Sequence, residues 1–127
     1  MERQRFEFLV AKAVGELPPE IASRLENVDI AVLDWPTRQQ LAASRVRRGF
    51  GLLGLYEGVP QTKRDRGYSL VLPDRITIFQ KPIEALCRSE GEIEREIRKV
   101  VQHEIAHHFG IGEARLGEIE RERRRRR

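Results

Sequence analysis

The sequence predicts an α+β domain: a small mixed three-stranded sheet, with one helix before the strands and a longer one after them. Three observations predict it. Apolar residues recur at helical spacing over residues 2–16 and again over 90–109, and three short β-rich segments lie between them. At 127 residues the chain holds one domain, because two would each be too small to enclose a core. Charged residues are 35% of the chain, yet 39% is apolar and rich enough in Leu, Ile and Val to exclude disorder.

Each element has its own signal. Phe6, Leu9, Val10, Ala13, Val14 and Leu17 form the stripe of a helix over 2–16, stopped near Gly15 and the Pro18–Pro19 pair. A short helix is expected from Pro19 to Glu26, with proline in its first turn. Residues 28–33 (VDIAVL) read as a strand, and Thr37 is placed to cap a helix over 38–47. Residues 51–57 (GLLGLYE) read as a second strand. Glycines at 49, 51 and 54 suit an edge or a close backbone approach better than a central place. After a polar loop over 58–67, residues 75–80 (RITIFQ) read as the third strand, followed by Pro82. The connection from 33 to 75 is long enough for a parallel pair, so 28–33 and 75–80 are expected side by side, with 51–57 antiparallel at the edge.

The last helix, about 90–109, is the clearest. Ser89-Glu90-Gly91-Glu92 fits a capping box, and Glu90, Glu92, Glu94 and Glu96 crowd the turns where the helix dipole favours anions. Ile93, Ile97, Val100, Val101 and Ile105 supply an apolar face, and Gly110 supplies the stop.

Charge divides unevenly. The net charge is +4, but residues 118–127 hold six Arg and three Glu, so residues 1–117 carry 18 bases against 17 acids. The expectation is a nearly neutral domain over 1–117 and a basic, solvated tail over 118–127, with weak affinity for polyanions through the tail. No apolar run approaches the ~20 residues that cross a bilayer. The N-terminus alternates charged and apolar residues, unlike a signal peptide. The single cysteine, Cys87, excludes an intramolecular disulfide and a Cys-rich zinc cluster. These points make the cytoplasm the expected location, with no membrane partner.

All three histidines lie within six residues: His103, His107 and His108. His103-Glu104-Ile105-Ala106-His107 is an H-E-x-x-H pattern, and i, i+4 positions share one side of a helix. Two imidazoles so placed reach one ion at Zn–N distances of ~2.0–2.1 Å. Glu104 is rotated about 100° from His103, beside the ion rather than on it, as suits a base for metal-bound water. His108 points about 100° away from His107 and reads as a packing or supporting residue. A zinc site needs a third protein ligand and an open position. Gly110 permits a sharp turn that brings Glu113 back under the helix end, so Glu113 is the expected third ligand, with Glu118 as the fallback.

These residues resemble the zincin metallopeptidases, and specifically the small bacterial zincin-like family. The similarity extends to GLYEGVP (54–60), LPDRITIF (72–79) with Pro82, and HEIAHHFGI (103–111), in that order, over roughly 28–116. It implies a minimal zincin-like fold, a zinc site and peptidase activity. The chain departs from the metzincin pattern, which has a third His where Glu113 stands, and it lacks a methionine after the helix.

The expected function is a zinc-dependent peptidase acting on a peptide or protein, with Glu104 as the proton carrier and an extended substrate paired along 51–57. Tyr56, Arg64 and Tyr68 are candidate oxyanion donors, though each is also an ordinary strand or loop residue. Two alternatives stand beside it. One is a metal-dependent RNA-processing hydrolase that uses the Arg tail for phosphate contacts. The other is a zinc-binding module without turnover. Substrate specificity, native metal and oligomeric state carry no sequence signal.

Overall fold

The apolar stripe Phe6, Leu9, Val10 and Ala13 is the buried face of helix α1 (Arg3–Gly15). It opens a computed structural model that describes residues 1–23, 25, 28–44, 51–58, 74–109, 118 and 121. After it come α2 (Pro19–Ala22), β1 (Val28–Leu33), α3 (Arg38–Ser44), β2 (Gly54–Glu57), β3 (Asp74–Phe79), α4 (Gln80–Leu86) and α5 (Glu90–Phe109). The three strands form one sheet in the order β1-β3-β2. β1 and β3 are parallel, from Val28↔Asp74 to Leu33↔Phe79. β2 is antiparallel to β3, from Gly54↔Ile78 to Glu57↔Arg75, and lies at the edge, as expected from the glycine content of 49–54.

Side chains alternate across a strand, so Ile30, Gly54, Tyr56, Ile76 and Ile78 turn to the face covered by α1 and α5. The core sits there: Phe6 and Leu9 of α1 meet Ile76 and Ile78 of β3 and Ile97, Val101 and Ile105 of α5. Each such side chain contributes roughly 1.5–3 kcal/mol through burial. Across the rim of this layer Lys12 donates to Glu94 at 2.6 Å and Arg5 pairs with Glu90, joining α1 to the acidic start of α5. On the other face Gln40 of α3 donates to Glu57 of β2 at 3.1 Å.

Both expected caps form, one only by half. Thr37 Oγ1 accepts from the Gln40 amide, and Gln40 Oε1 accepts from the Thr37 amide, a complete reciprocal box. Ser89 Oγ accepts from the Glu92 amide at 3.2 Å, but the Glu92 carboxylate takes the Arg88 amide instead of that of Ser89.

Three boundaries differ from expectation. α2 has four residues, not eight: the Leu25 amide bonds to Ala22 O and the Val28 amide to Leu25 O, turning the chain directly into β1 while Leu25 packs on the core. β2 starts at Gly54, not at 51. The Phe79 amide still donates to Leu53 O at 2.9 Å, but β3 ends there, so earlier residues have no strand to pair with. Gln80 opens α4, a helix the sequence did not announce, rather than closing the third strand. Pro82 falls in its first turn, where a missing N–H costs nothing. Gln80 is buried and saturated: it accepts from Arg3 Nε at 2.9 Å and donates to Met1 O at 2.8 Å and to Glu84 at 3.1 Å.

The readings at residues 24, 26, 45–47 and 59–67, the stop at Gly110 and the division at 117/118 lie outside the described residues. Among the described residues no helix is long and apolar enough to cross a membrane.

Candidate metal centre

Helix α5 carries two stripes. Ile97, Val101 and Ile105 sink into the core and fix the helix against the sheet. The other stripe, Glu96, Lys99, Val100, His103, Glu104 and His107, follows i, i+3, i+4 spacing and lines an open groove of about 500 Å³. Residues 51–55, leading into the edge strand, form the opposite wall, and Ser44 closes one side.

The structure brings His103, Glu104 and His107 together, with one ligand atom from each within 4.8 Å of the others. The imidazole rings stand 4.4 Å apart between centroids, tilted by 59°. His103 Nε2 lies 3.8 Å from Glu104 Oε2, and His107 Nδ1 lies 3.6 Å from Oε1. The two His side chains are 44% and 55% exposed, whereas that of Glu104 is 6% exposed, so the imidazoles meet the groove while the carboxylate sits behind them.

Glu104 has a main-chain partner: its Oε1 accepts the Tyr56 amide at 2.8 Å. The register explains why that amide is available. Leu53 and Phe79 are hydrogen-bonded across the ladder, so Leu55 and Glu57 also turn their main-chain groups to β3, and Gly54 and Tyr56 turn theirs off the edge. Burial pushes the Glu104 carboxyl above the ordinary glutamate range, against the lowering pull of His107, His103 and the Tyr56 amide. A carboxylate raised in this way holds a proton more tightly than an exposed glutamate does.

One feature escapes sequence reasoning, and another, the close approach that the glycines suit, gains its partner only here. Tyr56 enters as a main-chain donor, since its hydroxyl donates to the buried Asp74 at 2.9 Å and its side chain packs on the core. A main-chain amide has no residue signature, so only the strand register finds it. Gly54 lets α5 approach: a Cβ there would lie 2.5 Å from Val100 Cγ1. Of the remaining site expectations, Glu113, Arg64, Tyr68 and the His108 side chain lie outside the described residues. Glu118 is exposed and stands outside the His103–Glu104–His107 cluster.

Two imidazole nitrogens with a carboxylate beside them, open to a groove on one side, form a donor set matched to zinc. The family model for zincin-like metallopeptidases matches residues 25–123. The chain belongs to the zincin-like metallopeptidase family. No curated protein matches it. The zincin-like match takes in every strand and α5, and leaves out α1, whose apolar face supplies Phe6 and Leu9 to the core beneath the site. Membership in this metallopeptidase family supports a hydrolase for which zinc is the usual metal.

Proposed function

We propose that the chain is a zinc-dependent peptidase in which Glu104 carries the proton. The observation behind this reading is the buried Glu104 carboxylate, set beside two half-exposed imidazoles and tied to the edge strand. His103 and His107 would hold the metal, and Glu113 is the proposed third ligand. Bound there, zinc supplies Lewis-acid polarisation of a carbonyl and eases deprotonation of water.

The chain's own residues do the rest. Glu104 accepts a proton as the water oxygen bonds to the scissile carbonyl carbon, then returns it to the amine as the C–N bond breaks. With Oε1 held by the Tyr56 amide, Oε2 is the oxygen left to move that proton. An extended peptide adds to the edge of β2 that no described strand covers, through the outward main-chain groups of Gly54. The substrate is therefore a peptide or protein segment presented as a strand.

Metal analysis and cleavage assays on purified variants test this. The wild type is expected to hold one zinc per chain and to cleave unstructured peptide. His103→Ala and His107→Ala are expected to lose the metal. Glu104→Gln should keep it while losing about 10²–10⁴-fold in rate. Zinc retained by the double His variant would move the site elsewhere. Cleavage of RNA but not peptide would favour the RNA-processing reading, and cleavage of neither, with zinc bound, a binding module.

A further inference from the structure

We propose that Gly54 is the positioning residue for Glu104: its missing side chain sets the separation of β2 and α5 at which the Tyr56 amide reaches the carboxylate. The proposal rests on reading Glu104 as the proton carrier. Its physical basis is space, since a Cβ at Gly54 would lie 2.5 Å from Val100 Cγ1, 3.2 Å from Glu104 Cγ and 3.4 Å from Thr77 O. Real Cβ atoms do not approach another carbon to 2.5 Å, so an added methyl must move something.

Three candidates can give way, and two are held. Val100 is β-branched and helical, which leaves it essentially one side-chain rotamer. It is one turn before Glu104, on the same stripe. α5 itself is pinned by Ile97, Val101 and Ile105, each buried in the core. What remains is the edge strand, which among the described strands pairs with β3 alone. Residues 54 and 56 share a face, so a push at 54 carries directly to the Tyr56 amide two residues on. The 2.8 Å bond to Glu104 Oε1 then lengthens, and the carboxylate loses the contact that orients it. Gly54 thus acts through Glu104 and touches no reacting atom.

The test uses Gly54→Ala, Val100→Ala and the double variant, because truncating Val100 removes the atom the new methyl would strike. The first readout is spectroscopic and independent of activity: the chemical shift and exchange protection of the Tyr56 amide proton by NMR in the metal-free chain. Glu104→Gln provides the reference for a weakened bond. Gly54→Ala is expected to shift this proton upfield and expose it, with the fold and zinc stoichiometry kept, and the double variant to restore it. The second readout is kinetic: kcat falls by up to about 10²-fold in Gly54→Ala, beyond any change in KM from the shifted substrate-binding edge, and the double variant recovers it relative to Val100→Ala. An unchanged Tyr56 amide in Gly54→Ala overturns the proposal, as does failure of Val100→Ala to rescue it. If Gly54→Ala does not fold, the bulkier but more flexible probe is made from the other side: Val100→Leu should shift the Tyr56 amide in the same direction, and no shift overturns the proposal. A wild type with no peptidase activity defeats the functional reading alone, since the amide readout still decides whether Gly54 holds Glu104 in place.

Discussion

Two buried polar residues, Glu104 and Gln80, illustrate how this chain treats polarity at the scale of single side chains. Removing a polar group from water is costly unless something compensates, and a charged one more so. Gln80 is compensated fully, by Arg3, Met1 O and Glu84, and serves to hold the start of α1 on the start of α4. Glu104 is compensated in part, by one amide and two neighbouring imidazoles, and its carboxyl stays raised above the ordinary range by burial. Incomplete satisfaction suits the proton carrier proposed for Glu104, and complete satisfaction suits a brace. Gln80→Ala is accordingly expected to cost about 1–3 kcal/mol in urea denaturation, because it strands the partners of several bonds at once. Zinc stoichiometry should remain as in the wild type, which separates the brace from the metal centre.

At the scale of elements, α5 works because its two stripes answer to different partners. The apolar stripe anchors it on β3 and α1, which fixes where the opposite stripe presents His103, Glu104 and His107. The junction of α1 and α5 also carries an electrostatic contribution. The hydrogen bond from Lys12 holds the Glu94 carboxyl below the ordinary glutamate range, with a smaller opposing effect of burial. A carboxylate whose pKa is lowered by folding stabilises the native state above the unfolded-state value, about 4.3 for Glu, and that contribution fades as pH falls through and below it. Lys12→Gln should therefore lower stability at neutral pH by about 0.2–1 kcal/mol, the range for a solvent-exposed pair, and leave it nearly unchanged well below pH 4. Thermal unfolding of both proteins between pH 3 and 7 checks the convergence.

For the molecule as a whole, charge is distributed unevenly along the chain. Residues 1–117 are nearly neutral and the net charge resides in 118–127. The family match reaches residue 123, and five consecutive arginines close the chain. Truncation after Glu122 removes those five and no described part of the sheet or α5. It is expected to preserve folding and zinc stoichiometry while lowering retention on heparin or RNA, and to flatten the salt dependence of that retention, because phosphate contacts release counterions. Loss of peptide cleavage with zinc still bound would instead make the arginines part of the catalytic machinery.

By itself the sequence determined the parts that depend on local periodicity. The stripes of α1 and α5, the three strands, the parallel pairing of β1 with β3 and the edge position of β2 all followed from residue spacing, connection length and glycine content. So did the meeting of His103 and His107, because i, i+4 proximity belongs to any α-helix. Tertiary structure alone decided what depends on distances between elements. α4 begins at Gln80, which the sequence assigned to the end of the third strand, and Gln80 is held there by partners 77 and 79 residues earlier in the chain. β2 is shortened because its partner strand ends at Phe79. Gly54 signalled a close approach, but not that Val100 and Glu104 are what approach it. The Tyr56 amide reaches Glu104 across 48 residues of chain. Spacing along one helix is set by covalent geometry and is therefore written in the sequence, whereas the gap between a helix and a strand is set by how their side chains fill it, and appears only when both are packed.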